Sequence, residues 1–191
     1  MGRATTCDTV SGGDWGIMGA LSPHQLVGPL TRYGLLVAVA TTLADQLVKL
    51  WLLFGFNLPA REPVHLTSFL DLVMAWNTGI SYGFFQHPGP LGQWILLAVK
   101  VIAVALLVLW LARARTHTAA VSLGLIIGGA IGNGIDRLTY GAVADFVLFH
   151  AEIAGWSFKW YVFNLADAAI VAGVAGLLYD SFHKESAAKA P

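Results

Sequence analysis

Asn133 with Asp136 and Asn164 with Asp167 form two Asn-x-x-Asp pairs, and a third carboxylate, Asp145, lies between them in Val143-Ala144-Asp145-Phe146-Val147. Two carboxylates held close together resist ionising together, so one pKa rises and the pair shares a proton near neutrality. Such a pair can hydrolyse a peptide bond. The ionised member takes a proton from attacking water, while the protonated member polarises the carbonyl and then protonates the departing amine. This chemistry needs no covalent intermediate, metal or other cofactor, and none is expected. Cys-x-x-Cys and His-Glu-x-x-His are absent from the sequence. Cys7 stands alone in a polar stretch and reads as a free thiol, and His87, His117, His150 and His183 are too dispersed to suggest a metal site. Three aspartates, Asp136, Asp145 and Asp167, compete for two roles.

The elements that must position these residues follow from composition. The chain is 57% hydrophobic and 12% charged, whereas a soluble domain is about a quarter charged; the imbalance points to lipid as solvent. Net charge is zero and the 11 Lys and Arg are scattered, which excludes the basic footprint of a nucleic-acid binder. The apolar runs predict an all-α membrane protein with four transmembrane helices, at about 33–56, 91–111, 119–136 and 163–180. Residues 1–32 read as a flexible cytoplasmic extension, 33–180 as the transmembrane domain and 181–191 as a cytoplasmic tail. Arg3, Arg32, Arg113, Arg115, Lys184 and Lys189 fall on the side of the termini, and Arg61, Arg137 and Lys159 on the other. That bias makes the termini cytoplasmic and turns the larger connections, about 57–90 and 137–162, outward. Trp76, Tyr82, Phe84, Phe85, Trp156, Trp160 and Tyr161 suit these connections to the membrane interface, and Val64 to Met74 could form short strands on it, a small β-containing outer face.

This topology gives the polar residues a depth. Asp45 and Lys49 lie in the outer half of the first span, Asn133 and Asp136 at the outer end of the third, and Asn164 and Asp167 at the start of the fourth. Ionisable groups in a bilayer cost several kcal/mol unless paired or wetted, and convergence from three spans favours a site. Each piece also has a plainer explanation. Asp45 and Lys49, four apart, suit an intrahelical ion pair, and each asparagine suits orienting or capping around the carboxylate three residues on. Gly124, Gly128 and Gly132 suit close helix packing. Arg137 could anchor headgroups, satisfy a carboxylate or bind a substrate carbonyl, and Lys100, near the middle of the second span, has no evident partner. A proton-coupled transporter would need titratable groups at all depths, but short of Asp180 at the very end of the fourth span the cytoplasmic halves of the first, third and fourth spans carry no Asp, Glu, Lys, Arg or His. A noncatalytic helix bundle would leave the convergence unexplained.

The motifs and their order resemble the bacterial lipoprotein signal peptidases, or type II signal peptidases. The likeness runs from about Tyr33 to Tyr179 through Asp45-Gln46-Leu47-Val48-Lys49, Asn77-Thr78-Gly79-Ile80-Ser81-Tyr82-Gly83, Gly128 to Arg137, Val143-Ala144-Asp145-Phe146 and Phe163-Asn164-Leu165-Ala166-Asp167. It implies an aspartic endopeptidase of the inner membrane that removes signal peptides from diacylglyceryl-modified prolipoproteins, cutting before the lipidated cysteine. It implies Asp145 and Asp167 as the dyad, Asn133, Asp136, Arg137 and Asn164 as supporting residues, Asn77 and Gly79 as substrate-holding, and Asp45 and Lys49 as structural. Diacylated prolipoproteins and membrane lipid are the implied partners, with the enzyme a monomer. Ser81-Tyr82, where the family usually has Ala before Phe or Trp, and the insert around Glu152 to Lys159 depart from the pattern and bear on loop shape.

Overall fold

The computed structural model of the chain describes residues 28–79, 90–153 and 156–188. Expectations resting on Arg3, Cys7, Ser81, Tyr82, Phe84, Phe85, His87 and Lys189, and the flexibility assigned to most of the N-terminal extension, lie outside the described residues.

The four apolar runs form helices: α1 (Thr31–Leu50), α2 (Pro90–Leu111), α3 (His117–Tyr140) and α4 (Leu165–Ala188). Their ends differ from the sequence expectation for local reasons. α1 begins inside the expected extension and continues as a π-helical turn over Trp51–Gly55. α3 keeps its hydrogen bonding to Tyr140 and stops only at Gly141, whose left-handed φ of 73° lets its N–H reach the Arg137 carbonyl. Arg137 is therefore a helical residue and not part of the outer connection. α4 starts later than expected because Phe163 bridges to Val147, and it remains helical to Ala188, through most of the expected tail.

The connections form an antiparallel sheet of order β1 (Val64–Thr67), β2 (Leu70–Asn77), β3 (Val143–Ile153) and β4 (Trp156–Lys159). Only the Val64 to Met74 portion was expected as strand. β3 resembles an apolar run interrupted by Asp145 and gains its extended form by pairing with β2, more than sixty residues away, with Asp145 opposite Ala75 and Val143 opposite Asn77. The segment around Glu152 to Lys159 is the β3–β4 hairpin.

α3 is the central helix. In its most apolar 18-residue window 61% of residues are buried, against 22% for α1 and 17% for α4, and it packs on α1, α2 and α4. Glycines set the spacing: a Cβ at Gly124 would meet the Gly34 carbonyl, one at Gly128 the Ala38 carbonyl and one at Gly129 the Ala166 carbonyl, each at 2.5 Å. The packing expected of the Gly124–Gly128–Gly132 stripe is what these contacts show. Leu36, Leu47, Phe54, Ile102, Leu106, Val171 and Phe182 point outward from the other helices, an apolar surface suited to lipid. Among the described residues, Thr31–Gly55, His117–Tyr140 and Leu165–His183 are long and apolar enough to cross a membrane, and α2 contains the shorter apolar stretch Leu97–Leu111.

Candidate active site

At the sheet end of the bundle, α1, α3, α4, β2 and β3 converge on one buried polar network. Its deepest part is an ion triad. Lys49 Nζ lies 2.8 Å from Asp45 Oδ2 and 2.7 Å from Asp136 Oδ2, all three side chains at most 2% exposed. The intrahelical Asp45–Lys49 pair expected from the spacing is present, but Lys49 also ties α1 to α3. Gly132 makes room for it, since a Cβ there would sit 2.5 Å from Asp45 Oδ2. Asp45 Oδ1 accepts the Ala166 N–H at the start of α4 (3.0 Å). Gln46, unremarked by sequence reasoning beyond its motif, donates to Asp136 Oδ1 (2.9 Å) and to the Gly132 carbonyl (3.1 Å). Asp136 is completed by the Ala144 N–H (3.2 Å).

The asparagines do not serve the carboxylates of their own motifs alone. Asn133 donates to Asp167 Oδ1 (2.8 Å), across to α4, while its own Oδ1 accepts from Lys49 (3.1 Å) and from Asn164 Nδ2 (3.0 Å). Asn164 caps α4: its Oδ1 accepts the Asp167 N–H (3.0 Å) and its own N–H reaches Asp167 Oδ2 (3.2 Å), a reciprocal capping arrangement. The same Asn164 also donates to Asp145 Oδ1 (2.6 Å), so one side chain touches both carboxyl-bearing residues. The other Asp145 oxygen accepts from Asn77 Nδ2 (3.1 Å), carried in by the β2–β3 pairing.

Asp145 is 3% exposed and, in contrast to Asp136, forms no ion pair among the described residues. Burial pushes its carboxyl up to about 6, and the negative charge of Asp167 adds to the rise, while the hydrogen bonds from Asn77 and Asn164 oppose it. Arg137 lies within electrostatic reach of Asp145, Asp136 and Asp167; its Nη2 donates to the Gly79 carbonyl (2.7 Å), and Asn77 Oδ1 accepts the Gly79 N–H (3.1 Å). Guanidinium and asparagine thus hold the end of the described part of the first connection over the carboxylates. Among the described residues the structure brings Asn77, Gly79, Asn133, Asp136, Arg137, Asp145, Asn164, Asp167, Asp45 and Lys49 into one neighbourhood.

A second polar group lies on the sheet. His65 Nδ1 is 2.7 Å from Asp71 Oδ1 across the β1–β2 pair, and His150 Nε2, brought in on β3 from far along the sequence, is 3.1 Å from Asp71 Oδ2, an unforeseen meeting. The His65 hydrogen bond, helped by His150, holds Asp71 below the usual carboxylate range. No group of three or more His, Cys, Asp or Glu among the described residues has a metal-holding arrangement.

A helical membrane-embedded body capped by a small sheet is a fold known from bacterial membrane enzymes. Two such structures solved by the in meso method superpose with TM-scores of 0.67 and 0.63, covering 83% and 78% of this chain and 92% of each of theirs, at 23% and 24% identity. The family model described as signal peptidase (SPase) II matches residues 37–183, and the chain belongs to that family of peptidases. It is 62% identical over 160 residues to the lipoprotein signal peptidase of Nitrobacter hamburgensis, covering 84% of this chain and 98% of that one. The corresponding figures are 59%, 84% and 98% for the lipoprotein signal peptidase of Rhodopseudomonas palustris strain TIE-1, and 55%, 80% and 90% for that of Methylobacterium sp. strain 4-46.

Proposed function

We propose that this chain is an aspartic endopeptidase that removes the signal peptide from diacylglyceryl-modified prolipoproteins, cutting before the lipidated cysteine with Asp145 and Asp167 as the reacting pair. The observation that carries the assignment is the contrast between the three aspartates. Asp136 is fully buried against Lys49, whereas Asp145 and Asp167 share Asn164 and have no ion-pair partner among the described residues.

Asp145, raised to about 6 by burial and by Asp167, suits the protonated role; Asp167, in the first turn of α4 where the helix dipole favours negative charge, suits the ionised one. Asp167 takes a proton from water as the water oxygen attacks the carbonyl carbon, and Asp145 donates its proton to the carbonyl oxygen. Collapse of the tetrahedral intermediate breaks the C–N bond as the departing nitrogen takes up a proton from the dyad. Asn133, Asn164, Asp136 and Arg137 hold the pair and its surroundings; Asn77 and Gly79 present polar groups to the substrate; Asp45 and Lys49 lock the helices.

α2, 22 residues long, spans about 33 Å at the helical rise and completes four crossings. Arg32, Arg113 and Arg115, at the opposite end from the network, support cytoplasmic termini and a site at the outer face of the inner membrane, where a diacylated cysteine is confined. One chain supplies every residue of the network, so a monomer suffices.

The test is cleavage of a lipidated precursor by purified, folded Asp145→Asn and Asp167→Asn variants. Both are expected to lose processing by about a thousand-fold or more, the scale of removing a group essential to proton transfer; retained turnover in either variant rejects the pair.

A further inference from the structure

Lys100 and Gly134 remain unexplained by packing or by the network. Lys100 is part-buried at the middle of α2, and among the described residues it has no hydrogen bond or ion pair, although it lies within electrostatic reach of Asp167, Asp136 and Arg137. An ammonium in a bilayer-spanning helix is costly, so it is kept where a ligand or water can meet it. Lys100 faces a cavity of about 210 Å³ between α2 and α3, otherwise walled by apolar side chains including Val101, Ala130 and Ile131. Gly134 is on the same wall. Unlike Gly124, Gly128, Gly129 and Gly132, it has nothing among the described residues within 4 Å of where a Cβ would stand. A mid-helix glycine costs about 1 kcal/mol relative to alanine, and here no protein contact requires it.

We propose that the α2–α3 groove receives the signal-peptide residues on the amino-terminal side of the scissile bond, with Lys100 donating to a backbone carbonyl there and, after cleavage, to the newly formed carboxylate. Three features select this occupant. The groove is walled by the Ala130–Leu138 stretch of α3, which also carries Asn133, whose amide holds Asp167, and its Lys100 lies within electrostatic reach of Asp167. A peptide extended for cleavage leaves carbonyls unsatisfied in an apolar setting, and three rotatable ammonium donors answer them. The open side of Gly134 admits a backbone at close range. An acyl chain would fill the same apolar walls but has no use for the cation. Hydrolysis leaves a carboxylate on the peptide that ended in the scissile carbonyl, so the Lys100 contact strengthens in the product. Lys100 is a positioning residue in this scheme, and the inference rests on Asp145 and Asp167 being the reacting pair.

The experiment uses the full-length enzyme, a lipidated precursor, and synthetic signal peptides ending in a free carboxylate or an amide. Lys100→Met is expected to raise KM about ten-fold, the worth of one charge-assisted hydrogen bond, with kcat little changed and the melting temperature not lowered. Lys100→Arg is expected to restore most of the affinity, and Gly134→Leu to raise KM at unchanged thermal stability. The wild type should bind the carboxylate peptide more tightly than the amide, and Lys100→Met should bind them equally. An unchanged KM in Lys100→Met, a fall in its melting temperature, or a carboxylate preference that survives in it overturns the proposal; the last result together with a raised KM in Gly134→Leu assigns the groove to an acyl chain. Peptide binding to Asp145→Asn separates the two readings: cleavage by that variant rejects the reacting pair, whereas its carboxylate preference reports on the groove alone.

Discussion

Asp136 and Asp145 carry the same carboxylate in opposite surroundings. Asp136 is neutralised by Lys49 at 2.7 Å, while Asp145 is buried beside a second carboxylate and is relieved mainly by the amides of Asn77 and Asn164, with the more distant charge of Lys49 adding a smaller part. That difference has a pH signature. Asp145 is shifted upward, so its proton is present below about 6 and lost as pH rises through that value. The kcat/KM profile of the free enzyme is expected to fall on its alkaline side with an apparent pKa near 6. Asn77 donates to the charged form, so Asn77→Ala should move this break to higher pH. A break that stays in place, or moves down, in that variant contradicts the role given to the hydrogen bond.

At the level of elements, α3 depends on its glycines in two different ways. Gly128 is pressed against α1, where a Cβ would lie 2.5 Å from the Ala38 carbonyl and 2.7 Å from Thr41 Cβ. Gly128→Ala is therefore expected to push the helices apart and destabilise the detergent-solubilised protein by about 1–3 kcal/mol. Gly134→Ala, which meets nothing, should be neutral or gain up to about 1 kcal/mol from helix propensity. Thermal unfolding of the two variants side by side checks both expectations. The small-residue stripe was legible in the sequence as a spacing; which glycine packs and which faces a groove was not, because that depends on which neighbour lies on each side of α3.

For the molecule as a whole, the Asp45–Lys49–Asp136 triad is the tie that brings three helices to one point, through Lys49 to α3 and through Asp45 to the Ala166 N–H of α4. Removing the cation leaves two buried carboxylates facing one another. Lys49→Met is expected to cost about 3–5 kcal/mol, the penalty for breaking a buried ion pair from one side. Unfolding of the purified variant measures it, and a second change, Asp136→Asn, should recover part of the loss. Wild-type stability in Lys49→Met would mean that the triad does not hold the helices together.

From the sequence alone came the lipid-facing composition, the apolar runs, the clustering of polar residues toward one end of the spans and the motif order that matches the family. These depend on short-range periodicity and residue type, which a chain displays without folding. The residues brought together were almost all legible in the same way, since depth follows from position along a span. Tertiary structure decided how they pair. Asn133 serves Asp167 across helices, Arg137 holds the Gly79 carbonyl, β3 becomes a strand by pairing with β2, and His65 and His150 meet at Asp71. It also supplied the physical contrast between Asp136 and Asp145, three equivalent aspartates in the sequence becoming one neutralised by a lysine and two joined by an asparagine. Those outcomes depend on contacts between segments tens of residues apart, and a side chain's charge state is fixed by the neighbours that such contacts deliver.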